Sequence, residues 1–146
     1  MNPTHQPPSR EAIEQFIEAG GLRLTPQRYA VMAFLMEEPV HATAEEIFEA
    51  VNRVDPRSSR ATIYNSLHAL VKAGRVREVA VEGRAARFDA KLDPHHHFIC
   101  DQCGNVEDIP WYHLPQPEPH MLGSRRLRES ELILRGLCTR CTESTY

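Results

Sequence analysis

Two pairs of cysteines with the same spacing constrain this chain more than any other feature. They are Cys100-Asp101-Gln102-Cys103 and Cys138-Thr139-Arg140-Cys141. With two residues between the cysteines of a pair, both thiolates turn onto one metal ion. Two such pairs complete a tetrahedral Cys₄ shell of the kind structural zinc favours, with Zn–S distances of about 2.3 Å. The stretch between the pairs is too long for a short zinc ribbon, so a small folded domain is expected there. All four cysteines of the chain are used in these pairs. The rival reading, disulfides in a secreted protein, needs an oxidising compartment. The chain shows no basic-then-apolar leader at its start and no apolar run of membrane-spanning length. Zinc in a cytoplasmic protein is the expectation.

The net charge of −3 argues against a nucleic-acid binder only if it is spread evenly, and it is not. Residues 1–52 carry three basic and eight acidic side chains, whereas residues 53–88 carry eight basic and three acidic ones. A local basic face, not the sum over the chain, governs phosphate contact.

The periodicity supplies the elements. Residues 1–8 are polar and proline-rich and read as a loose arm. Ser9 caps a first helix with Ile13, Phe16 and Ile17 on one face, stopped by Gly20-Gly21. Thr25-Pro26 starts a second, with Ala30, Val31, Phe34 and Leu35 inward and Pro39 as its stop. Thr43-Ala44-Glu45-Glu46 is a capping box opening a third, with Ile47, Phe48 and Val51 inward. Ser59 opens a fourth, reaching Gly74, with Ile63, Leu67, Leu70 and Val71 inward. Alternation then takes over: Val76, Glu78, Ala80 and Glu82 on one face, Arg77, Val79 and Val81 on the other. A turn at Glu82-Gly83 and a return strand over 85–89 follow. Helices followed by a basic hairpin outline a winged helix-turn-helix, with the Ser59 helix as recognition helix and Arg84 and Arg87 on the wing.

After a hinge over 91–94, strands are expected over 95–100, 105–109 and 131–135. Residues 110–119 read as proline-rich loop with at most a short helix. The fold class is therefore α+β: a winged-helix DNA-binding domain over 1–90 and a small zinc-stapled α/β domain over 91–146. The second is small enough to favour oligomerisation.

His95-His96-His97 sits three residues before Cys100. Positions i and i+2 of a strand face the same way, so His95 and His97 project together and His96 points elsewhere. Asp89 lies just upstream, Asp108 on the next strand, and His41 before the third helix. Three imidazoles and two carboxylates suit Mn²⁺ or Fe²⁺ better than thiolate-loving zinc. A bare triple histidine also fits a solvated polar strand; its place beside the cysteines raises the metal reading. His5, His68, His96, His113 and His120 carry no ligand pattern and read as structural or solvated.

The order TPQR, HATAEEIF, SRATIYNSL, RFD, HHHFICDQCG and GLCTRC resembles the ferric uptake regulator superfamily of metal-dependent repressors. The resemblance spans about Gly20 to Cys141. It implies a homodimer whose 91–146 part is the dimerisation domain. Tyr64-Asn65 is similar to the pair in the peroxide-sensing branch, and Asp at 89 and 108 fits that branch, where many iron-uptake regulators carry Glu. Ser130 and Pro115 stand where iron regulators often carry ligands of an additional site, so that site is not carried over. The regulatory ligands it implies are His41, Asp89, His95, His97 and Asp108, with oxidation by Fe²⁺ and peroxide falling on His41 or His95. Mn²⁺ in the same shell would resist peroxide.

The resemblance also implies Arg23 in the minor groove of an A·T-rich palindromic operator in double-stranded DNA. Arg60, Tyr64 and Asn65 are expected at the major groove, with Tyr64 exposed and its ring on thymine methyls. Arg57, Arg75, Arg77 and Arg84 are further phosphate candidates. The expected function is a metal-dependent, peroxide-sensing transcriptional repressor; an iron- or manganese-uptake regulator is the alternative. An enzyme is not expected, because no nucleophile or acid/base pair stands apart from the ligands.

Overall fold

A computed structural model describes residues 6–37 and 41–144. The chain divides into two compact units, Met1–Leu92 and Asp93–Tyr146. The stop expected at Pro39 and the side chain of His5 lie outside the described residues.

In the first unit, α1 (Arg10–Ala19) starts where the Ser9 hydroxyl accepts the Ala12 N–H. It buries Ile13 and Ile17. Helix α2 (Pro26–Glu37) is capped by the Thr25 hydroxyl, which accepts the Arg28 N–H at 3.2 Å. Its buried residues are Val31, Met32 and Leu35. Met32, absent from the expected face, is fully buried, while Ala30 and Phe34 flank the core half-buried. The apolar surface of α2 is thus wider than one stripe, as a helix touched by neighbours on several sides requires.

A two-residue strand, β1 (Ala42–Thr43), precedes α3 (Ala44–Val54) and was not expected from so short a segment. Thr43 closes β1 and caps α3 through the Glu46 N–H at 3.1 Å. Helix α4 (Arg60–Lys72) starts from Ser59, whose hydroxyl accepts the Thr62 N–H, and buries Ile63, Ser66, Leu67 and Leu70. Strands β2 (Arg77–Val79) and β3 (Arg87–Asp89) form the hairpin, and β1 joins β3, giving the antiparallel order β1-β3-β2. Val76 lies in the turn ahead of β2 and joins the helical core, so it does not share the strand's alternation.

The second unit is a sheet ordered β5-β4-β6. Strand β4 (His96–Cys100) is central and β5 (Val106–Ile109) runs antiparallel to it. After the short helix α5 (Pro119–Leu122), β6 (Ile133–Gly136) runs parallel to β4. A final helix, α6 (Thr139–Glu143), was not expected. Its five residues are too few for a periodicity signal, and it forms because Cys138 turns the chain at its N-cap.

Candidate metal centres

The parallel pairing of β4 and β6 explains how distant cysteines meet. Both strands run towards a CxxC, and Cys100 is in register with Gly136, two residues before Cys138. The first pair sits on the β4–β5 turn, closed by the Gly104 N–H donating to the Cys100 carbonyl at 2.9 Å. Gly104 takes φ 73° there, a left-handed value that a side chain resists. The second pair spans the first turn of α6. The four sulfurs all lie within 4.8 Å of one another. Cys103 Sγ and Cys138 Sγ are 3.8 Å apart. Two thiolates at about 2.3 Å from one tetrahedral ion are about 3.8 Å apart, so the cluster fits a structural zinc.

The backbone prepares the thiolates unevenly. The Cys103 and Cys138 N–H groups bring the Cys100 thiol down to about 6. The Asn105 N–H, 3.4 Å from Cys103 Sγ, lowers Cys103. Burial pushes Cys141 up to about 12. Arg140, between the cysteines of the second pair, is raised by its hydrogen bond to Cys103. Its cation faces Cys103, Cys138 and Cys141 and would offset part of the charge of a zinc-bound thiolate cluster, a role the sequence pattern alone did not suggest.

In the first unit the β1–β3 ladder pairs Ala42 with Phe88 and Thr43 with Arg87. One step further along the same register, His41 stands opposite Asp89. Arg87 reinforces this end of the ladder by donating from Nη1 to the His41 carbonyl at 2.8 Å. Both side chains are buried, and His41 Nε2 lies 3.2 Å from Asp89 Oδ2. The other carboxylate oxygen of Asp89 accepts the Lys91 N–H at 2.8 Å, which fixes its rotation.

In the second unit the β4–β5 ladder pairs His97 with Asp108. His95 stands two residues before His97, its ring centroid 4.6 Å from that of His97. His95 Nε2 lies 3.2 Å from Asp108 Oδ1. The Asp93 carbonyl, 2.7 Å from His95 Nδ1, can only accept, so Nδ1 carries the proton. In the neutral ring Nε2 then presents a lone pair to a carboxylate oxygen, an arrangement that a cation between them satisfies. Two N/O ligands at about 2.1 Å from one ion stand about 3.0–3.4 Å apart, and the 3.2 Å spacing in each unit fits that. Buried imidazoles with one buried carboxylate, Asp89, and one partly exposed, Asp108, make a hard-to-borderline donor set, suited to Mn²⁺ or Fe²⁺. Glu131 Oε2, 3.9 Å from His97 Nδ1, is a further carboxylate that the sequence reading passed over.

His96 faces away from these ligands. It is fully buried, and its ring stacks on Trp111 at 4.6 Å between centroids. Its Nδ1 accepts the Leu132 N–H and its Nε2–H donates to the Tyr112 carbonyl, both at 3.0 Å. It ties β4 to the proline-rich loop and to the approach of β6.

The DNA candidates are all in the first unit. Arg23 and Asn65 are exposed. Tyr64 is half-buried, and its hydroxyl donates to Glu45 Oε2 at 2.8 Å. Arg60 also hydrogen-bonds Glu45 and lies over the Phe48 ring at 4.6 Å. Arg57 is paired with Asp55 at 2.9 Å, and Arg75 lies over the Phe16 ring at 4.8 Å. Arg77 donates to the Leu92 carbonyl at 3.4 Å, so Arg57, Arg60, Arg75 and Arg77 all have local partners, which reduces the set of ready phosphate ligands.

A family model described as the ferric uptake regulator family matches residues 19–134. A peroxide operon regulator of Bacillus subtilis (strain 168) is 33% identical over 137 residues, covering 92% of this chain and 93% of its own. A peroxide-responsive repressor PerR of Staphylococcus saprophyticus is 36% identical over 128 residues, 84% of each chain. Among solved structures, the Helicobacter pylori ferric uptake regulator Fur matches with a TM-score of 0.70 at 23% identity, covering 97% of this chain and 99% of that one. At that identity the likeness concerns the fold.

Proposed function

The chain belongs to the ferric uptake regulator family, and from that premise we propose that it is a cytoplasmic, metal-dependent transcriptional repressor that senses peroxide through its own histidines. The observation that carries this reading is the same imidazole–carboxylate spacing, 3.2 Å, in both units, with a buried imidazole in each. His41 and Asp89 from one unit, with His95, His97 and Asp108 from the other, would hold one divalent cation, Fe²⁺ or Mn²⁺. Zn²⁺ would occupy Cys100, Cys103, Cys138 and Cys141. The peroxide-regulator names of relatives at 33–36% identity support the sensing role.

Bound Fe²⁺ would supply electrons that reduce hydrogen peroxide beside the ligand imidazoles. His41 and His95 are the rings that would take up an oxygen atom. The modified ring is a poorer ligand, so its unit is no longer held. Asp93 and Lys91 keep the unmodified ligands in place through the His95 Nδ1 proton and the Asp89 carboxylate.

Regulators of this family bind DNA as dimers, and the exposed apolar Ile133, Leu134 and Leu137 on and after β6 support a second copy as partner. Ligands drawn from both units would make metal and DNA favour the same arrangement, which is the linkage a repressor needs. Arg23, Arg60, Tyr64 and Asn65 would face an A·T-rich palindromic duplex. No helix among the described residues is long and apolar enough to cross a membrane.

Peptide mass spectrometry of the zinc-replete, Fe²⁺-loaded chain after brief dilute peroxide tests the reading, beside a Mn²⁺-loaded control. The expected result is one added oxygen on the peptide bearing His41 or His95, in the iron sample only. Unmodified histidines in both samples would replace it with a regulator of metal supply. Oxidised cysteines with zinc release would move the switch to the Cys₄ cluster.

A further inference from the structure

Two of the four residues expected at DNA, Arg60 and Tyr64, converge on one carboxylate oxygen. They stand at i and i+4 of α4, so they share one face of that helix. Glu45, in the first turn of α3, receives both: the Tyr64 hydroxyl at 2.8 Å and the Arg60 guanidinium, on the same Oε2. Phe48, three residues on along α3, lies under the same guanidinium. Its neighbour Glu46 is turned the other way, towards Arg87 of β3 at 3.7 Å. Adjacent glutamates thus serve different elements, and only Glu45 addresses α4. The Tyr64 hydrogen bond, and then Arg60, hold the Glu45 carboxyl below its ordinary range, so it is an anion at neutral pH.

We propose that Glu45 is a specificity-determining residue of the DNA-reading face: its carboxylate competes with DNA phosphate for Arg60 and anchors the Tyr64 ring. The inference rests on the DNA-binding reading above. A free arginine adds attraction to any duplex, because phosphate contact carries no sequence information. An arginine already neutralised by Glu45 adds little to random DNA. It is released only where the correct site compensates for breaking the pair. The pair is half-exposed, with side chains 55% and 44% accessible, so it is weak enough to be exchanged. Anchoring Tyr64 acts in the same direction, since a ring already held by its hydroxyl loses less freedom on meeting a base edge.

The test compares the Mn²⁺-loaded full chain with its Glu45→Gln variant. Glutamine keeps an acceptor for Tyr64 and removes the charge opposite Arg60. One probe is a random-sequence 30-base-pair duplex; the other is a duplex enriched from a random pool by the wild-type chain. On the random duplex, E45Q is expected to bind up to about fivefold tighter, the scale of an exposed ion pair. The slope of log affinity against log salt should steepen by about 0.9, one added phosphate contact. The enriched duplex should gain less, so discrimination falls. In an Arg60→Ala background, E45Q should change neither quantity. An unchanged slope, or the same gain without Arg60, overturns the proposal. If the wild-type chain enriches no duplex at all, the DNA-regulator reading fails and the proposal with it.

Discussion

The cysteine cluster takes four like atoms from one unit: from the end of β4, the β4–β5 turn and the first turn of α6. The candidate imidazole and carboxylate ligands belong to two different units: His41 just before β1 with Asp89 on β3, and His95 just before β4 with His97 on β4 and Asp108 on β5. The two kinds of centre therefore differ in what a cation does to the chain. Four thiolates complete a tetrahedral shell, so an ion there acts on the folding of that unit. Two ligands in one unit and three in the other each leave a shell short. Soft sulfur beside strand ends suits permanence, and neutral imidazole with carboxylate suits an ion that comes and goes.

The largest effect expected is on the thiolate side. Cys100→Ser should abolish zinc retention, because structural zinc contributes about 10–16 kcal/mol of apparent binding energy in zinc-finger peptides. Metal analysis of the purified variant and far-ultraviolet circular dichroism would read this as loss of both zinc and the strand signal of residues 96–136. A folded, zinc-free variant would show that the sheet stands without its cluster and would erase the contrast.

His41→Ala sharpens the other side. Removing a ligand from the first unit should weaken Mn²⁺ binding by about tenfold or more, the scale even of outer-shell losses at metal sites. Zinc content should stay unchanged. Calorimetric titration with Mn²⁺ checks it, and wild-type affinity in the variant would mean that His41 is not one of the ligands.

His96→Ala separates scaffold from ligands, since it acts on stability and on neither metal. It leaves the Leu132 N–H and the Tyr112 carbonyl without the imidazole, at a cost of about 1–3 kcal/mol. A lowered thermal midpoint with zinc content retained is the outcome expected. An unchanged midpoint would show that solvent replaces the ring without loss.

Local patterns carried much of the fold. Ser9, Thr25, Thr43 and Ser59 each cap the helix that follows, because an N-cap is a contact over three residues and needs nothing distant. The hairpin from 77 to 89 was legible for the same reason. The two-residue β1 and the five-residue α6 were not, since they carry no periodic pattern of their own. Met32 escaped because burial on a second helix face depends on which neighbours arrive there.

For the centres, spacing singled out the four cysteines and the His95/His97 pair, since metal chemistry restricts ligand type and short-range geometry, while the family resemblance supported adding His41, Asp89 and Asp108 to the set. The tertiary structure decided how they are presented. The β4–β6 register carries Cys138 to Cys100, and the β1–β3 register brings Asp89 opposite His41. It also decided that Glu45, one acidic residue among eight in the first 52, is the one that receives Tyr64 and Arg60. Such a contact joins residues 15 and 19 positions apart across two helices, and only their packing brings them together.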